Sequence, residues 1–192
     1  MSLVNHVFPR AGLTGAIAVL LFLCAATGAV AGGNPELLEP TEGTDGFKVV
    51  ELDEFTFAWQ VRDDSLDVRI SAPTTGWVAL GFEPSRAMRD ADMRIGFVAD
   101  GSVEVEDHFG VSAINHRADS DLGGTSDVSD IGGSEEDGRT NLTFTTPLDS
   151  GDRYDAALTP GEEVIVIYAH GGDGVDDYTT KHVARGGFRV VL

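Results

Sequence analysis

From about residue 47 onward, apolar side chains recur at every second position in short runs separated by turn residues. In "FTFAWQV" this puts Phe55, Phe57 and Trp59 on one face of a strand, and in "LDVRIS" it does the same for Leu66, Val68 and Ile70. "GWVALGF", "MRIGFVA", "VEVEDHF", "NLTFTTPL", "EVIVIYAHG" and "FRVVL" continue the series. No stretch in this region carries an apolar stripe at helical spacing over three turns. Eight or more short strands with Gly, Asp and Pro turns predict an all-β chain folded as a sandwich or barrel. The segment 114–140, "INHRADSDLGGTSDVSDIGGSEEDGRT", is rich in Asp, Gly and Ser and reads as one long surface loop.

The first 31 residues have a different pattern. Arg10 is their only Lys, Arg, Asp or Glu, and the apolar run after it ends in "AVA" before Gly32. A basic start, an apolar centre and a small-residue site predict an export signal cleaved after Ala31, with an uncleaved membrane anchor as the alternative. Either outcome puts the body outside the cytoplasm, at the outer face of the membrane or beyond it. Residues 32–46, rich in Gly, Pro and Glu, read as a linker, and 47–192 as one domain with a full core.

Composition narrows the chemistry. The single cysteine, Cys24, falls in the leader, so the remaining chain has no sulfur for a disulfide, a thiolate metal site or a covalent c-type haem. Beyond the leader, 12 basic side chains face 32 acidic ones, a net charge of −20. Such a surface repels nucleic acid and anionic lipid, and high salt would screen its self-repulsion, as in a salt-loving source. No nucleophile elbow, phosphate-cradling loop or H-E-x-x-H pattern is present. "DSDLGGTSDVSD" departs from a calcium loop at Gly123 and Asp130.

Two of the chain's three methionines sit in "PSRAMRDADMRIGF". Met93 alternates with Ile95 and Phe97, and core packing on a strand face accounts for it. Met88 precedes the strand among Arg86, Arg89, Asp90 and Asp92, and periodicity gives it no role. Of the histidines, His116 falls in the polar segment and reads as solvated. His108 and His170 lie at strand ends, and His182 lies just before the last strand. Their sequence separations match no familiar metal-ligand spacing.

The order of three blocks carries a resemblance. "GWVALGFEPSRAMRDADMRIGFVADGSVEVEDHFG", then "DGRTNLTFTTPLDSGDRYDAALTPGEEVIVIYAHG", then "HVARGGFRVVL" resembles the DOMON domain. That family is named for dopamine monooxygenase N-terminal regions and is related to the cytochrome domain of cellobiose dehydrogenase. The resemblance spans roughly residues 47–192 and implies an immunoglobulin-like antiparallel β-sandwich. In haem-binding members, a methionine after the "GWVALGF"-like strand and a histidine near the last strand ligate a b-type haem. Position by position these fall on Met88 and His182, with Trp77, Phe82 and Phe97 as pocket lining or, equally, sandwich core. Met88 is flanked by charges where haem-binding relatives more often carry small residues. The resemblance therefore implies an exported b-type cytochrome, not an enzyme by itself, that passes electrons to a redox protein or membrane partner. The alternative is a haem-free module that recognises a carbohydrate or a protein.

Overall fold

The computed structural model describes residues 34–192, so the export segment and Cys24 lie outside the described residues. Two six-stranded antiparallel sheets face one another. The first contains β1 (Thr41–Glu42), β2 (Lys48–Leu52), β3 (Phe55–Arg62), β4 (Ser65–Ala72), β10 (Arg139–Pro147) and β9 (Ser129–Glu136), in that spatial order. The second runs β12 (Ala184–Val191), β11 (Glu163–His170), β5 (Val78–Phe82), β6 (Asp92–Ala99), β7 (Ser102–Ser112) and β8 (Asn115–Ala118). One helical turn, α1 (Asp119–Leu122), follows β8.

The period of two explains the core. Phe55, Phe57, Trp59, Leu66, Val68 and Ile70 point from the first sheet onto Val78, Leu80, Phe82, Val166, Phe188 and Val190 of the second. Phe57 stacks on Trp59 at 4.7 Å between ring centroids and meets the edge of Phe82 at 6.3 Å. Each ring is wholly buried, so together they supply a large share of the apolar area that holds the sheets together.

Three local expectations need correction. The segment 114–140 is not one loop: it contains β8, α1 and β9. β9 escapes pattern recognition because it is an edge strand with no buried residue, so neither face needs an apolar period. The stretch read as a linker lies against β12, where Arg189 donates its N–H to the Glu36 carbonyl at 2.7 Å and accepts from Leu38 N–H at 2.8 Å. Finally, Met93, Ile95 and Phe97 are buried, but on the side of β6 that faces away from the other sheet. The side facing into the sandwich carries Asp92 and Arg94.

Candidate functional site

The second sheet is covered on both faces, which is why all five residues of β5 are buried. Val78, Leu80 and Phe82 enter the core between the sheets. Trp77, Ala79, Ile95 and Phe97 form a separate apolar cluster on the outer face, packed by Ala99, Ala169, Val175 and Tyr178. The β11–β12 loop, 171–183, supplies that cover. Trp77 N–H donates to the Val175 carbonyl, Gly171 N–H donates to the Trp77 carbonyl, both at 2.9 Å, and the Tyr178 ring lies 5.1 Å from Phe97.

Sequence left Trp77, Phe82 and Phe97 open between pocket and core, and the structure separates them. Trp77 and Phe97 are on the outer face; Phe82 is in the inter-sheet core. Around the middle of the outer face, small residues surround Ile167. Ala79 and Ala169 pair across β5 and β11, and Gly81 and Gly187 both flank Ile167. A Cβ on Gly81 would come within 2.8 Å of Met93 Cγ and 3.0 Å of Ile167 Cγ1, so the missing side chain is what lets those two approach. The buried Trp77 Nε1–H has no hydrogen-bond partner among the described residues.

Met88 stands in the β5–β6 turn at the Phe82 end of this face, half-buried. The turn is closed by backbone bonds: Ser85 N–H to the Arg89 carbonyl, Arg89 N–H to that of Arg86, and Ala91 N–H to that of Met88. Asp90 N–H donates to Gly110 on β7 at 2.7 Å, and Gly110 N–H returns to Ala91 at 2.9 Å. Glu83, Ala87 and Asp90 all hold positive φ, an unfavourable state for residues with a Cβ. Such strain persists only where the surroundings impose it, and it concentrates at binding loops.

His182 stands at the other end, two residues before β12, whose Ala184 pairs with His170, itself paired with Val78. Burial first, then the nearby Arg185 and Lys181, lower its pKa, so the imidazole is neutral with a lone pair available. β5 thus separates the turn that carries Met88 from the loop that carries His182 by about 13 Å of strand.

Two clusters were not foreseen. His116 is half-buried on β8, with its Nδ1 3.0 Å from Nδ1 of buried His108, whose Nε2 lies 3.0 Å from a Glu106 carboxylate oxygen. Inside the sandwich, Arg94 is ion-paired to Asp92, lies 2.7 Å from an Asp107 carboxyl oxygen and donates to Thr146 Oγ1 at 2.8 Å. Asp155 lies 4.0 Å away. Asp119 is fully buried, with neither carboxylate oxygen partnered among the described residues. Burial pushes Asp107 up to about 8, Asp119 to about 7 and Asp155 to about 6, more than Arg94 offsets. The signal was legible in part: Asp92 and Arg94 are in phase with the core-facing positions, but their apolar neighbours suggested the opposite face.

The DOMON domain sequence model matches residues 51–171. This chain belongs to the DOMON family. Among curated proteins, the DOMON chain is 28% identical over 124 residues to MOXD1 homolog 2 of Drosophila melanogaster, covering 63% of this chain and 16% of that one. It is 34% identical over 56 residues to human DBH-like monooxygenase protein 1, covering 29% and 9%. The chain thus spans less than a fifth of the length of these relatives. Its fold is shared by the cytochrome b domain of pyranose dehydrogenase from Coprinopsis cinerea, with a TM-score of 0.59 at 13% identity over 79% of this chain and 87% of that one. The cytochrome domain of Myriococcum thermophilum cellobiose dehydrogenase aligns equally well, with a TM-score of 0.59 at 13% identity over 80% and 88%.

Proposed function

We propose that this DOMON domain binds a b-type haem along the outer face of the second sheet, with Met88 and His182 as axial ligands, and carries electrons on the outer side of the cell. The observation that carries the reading is the set of small outer-face residues between the loops that hold Met88 and His182: Ala79 beside Ala169, and Gly81 and Gly187 on either side of Ile167. Met93, Ile95 and Ile167 adjoin these residues and offer apolar contact to a flat ligand. Trp77 and Phe97 line the Val78 end of this face; Phe82 supports β5 from behind.

The donor set fits the group. A thioether and a neutral imidazole are a pair that fills both axial positions of haem iron, favours the ferrous state and supplies one-electron transfer. A b-type haem needs no cysteine, and the described residues have none. Kinship in fold with two cytochrome domains supports the same reading. The strongly acidic chain, with a net charge of −19, would be steered toward a basic redox partner, faster at low salt.

The test is an absorption spectrum of protein reconstituted with haem, oxidised and then reduced. Sharp reduced α and β bands, lost in Met88→Ala and in His182→Ala, are expected. A folded wild-type protein that stays colourless would overturn the proposal.

A second reading, a haem-free carbohydrate-binding module, is favoured by a depression of about 340 Å³ on the first sheet. Phe47, Asp67, Arg69, Thr143 and Thr145 line it, and Arg69 caps the Phe47 ring at 3.6 Å. Arg69 covers the buried Phe47 ring, so the groups left facing the depression are charged and hydroxyl side chains, which suit a polar ligand such as a sugar. Saturable glycan binding that survives both ligand substitutions but not Arg69→Ala would select it.

A further inference from the structure

We propose that His108 and His116 form a two-imidazole site for a late divalent transition metal, with copper(II) preferred, distinct from the haem site. Adjacent strands β7 and β8 present the two rings to each other on the outer face, with Nδ1 to Nδ1 at 3.0 Å. Ring centroids are 5.0 Å apart and the planes cross at 61°.

The nitrogen separation admits a chelate. Two metal–nitrogen bonds of about 2.1 Å at a right angle put the nitrogens about 3.0 Å apart, whereas a tetrahedral angle would put them about 3.4 Å apart. The hydrogen-bonded pair is thus spaced compatibly with one edge of a square-planar or octahedral site, and the general order of divalent-metal affinities for nitrogen donors puts copper(II) first. Remaining positions are open to water, since His116 is only half-buried.

The next shell is already in place. A Glu106 carboxylate oxygen accepts from His108 Nε2–H at 3.0 Å, which fixes the tautomer that leaves the His108 Nδ1 lone pair facing His116. In the metal-free chain His116 Nδ1–H donates to that lone pair. When metal binds, this proton relocates to His116 Nε2, so both rings stay neutral and no net proton is released. Burial lowers the pKa of both rings, that of His116 to about 4. Glu106 and Asp121 add negative potential beside the pair, and the acidic chain as a whole concentrates divalent cations.

The discriminating experiment titrates the full chain with copper(II) chloride in 0.5 M NaCl, which screens weak binding to surface carboxylates. Electron paramagnetic resonance is recorded alongside. One copper per chain is expected, with hyperfine structure from two nitrogens and affinity falling from copper to nickel to zinc. His116→Gln, on the more accessible ring, should weaken copper at least tenfold and remove one nitrogen from the spectrum. His108→Gln should do the same, with circular dichroism checking its fold. Copper affinity unchanged in folded His116→Gln, or zinc held more tightly than copper, would overturn the proposal. Haem spectra are read separately, so failure of this site and failure of the haem reading are distinguishable.

Discussion

Gly110 positions Met88 more strictly than any residue of the turn itself. A Cβ there would lie 1.5 Å from the Met88 carbonyl oxygen, a backbone atom that can withdraw only by breaking the turn. Gly110→Ala is therefore expected to cost about 2–4 kcal/mol in urea unfolding and to weaken haem uptake. Gly101→Ala should cost about 1 kcal/mol, for its φ of 78° is unfavourable but its Cβ meets nothing within 4 Å. Arg94 is the other decisive residue, because its guanidinium is the cation among Asp92, Asp107, Asp119 and Asp155. Arg94→Met leaves buried carboxylates uncompensated and should cost about 3–5 kcal/mol. The sign with pH follows from the raised carboxylate pKa values: the folded state holds protons that the unfolded chain releases near 4. Stability from these groups falls as pH rises from about 4 through 6 to 8. The variant's deficit should thus be wider at pH 9 than at pH 5 in paired urea titrations.

β5 is the element on which the candidate site turns. Its inward residues are large and its outward ones small, so one short strand serves as core on one side and as a shallow floor on the other. Gly81→Val tests that floor without touching either proposed ligand. The added side chain meets Met93 and Ile167, and reconstituted haem absorbance should drop severalfold while circular dichroism is retained. Haem uptake at the wild-type level would show that the ligand does not use this face. β7 and β8 make a comparable point for the histidines: each is unremarkable on its own strand, and only strand pairing gives them a 3.0 Å contact.

At the scale of the molecule, charge dominates. With a net charge of −19, the folded chain repels itself, and salt shortens the screening distance from about 10 Å at 0.1 M to about 3 Å at 1 M. The melting temperature should therefore rise between 0.1 and 1 M NaCl, more than for a near-neutral sandwich of the same size, as scanning calorimetry would read. A flat response would mean that the buried Arg94 cluster and the apolar core, neither open to salt, set the stability. Domain architecture follows the same physics: the core between the sheets closes with Phe188, Val190 and Leu192, while residues 35–38 shield the β12 edge from pairing with another chain.

The period of two in "FTFAWQV", "LDVRIS" and "GWVALGF" was enough to determine an all-β chain, sandwich or barrel, because a half-buried strand has to alternate. Block order was enough to suggest the DOMON family and, with it, Met88 and His182 as residues to examine. Three matters were decided only by tertiary structure. In β6 the apolar set Met93, Ile95 and Phe97 lies under loops and the charged set Asp92 and Arg94 lies inside, because the two pair with each other and Thr146 of β10 accepts from the guanidinium, and a periodic pattern does not say which face is which. β9 forms although neither of its faces is buried, since a partner's backbone suffices. And His116, read as solvated from its polar neighbours, meets His108 because β7 reverses into β8, a proximity written in pairing and not in sequence spacing.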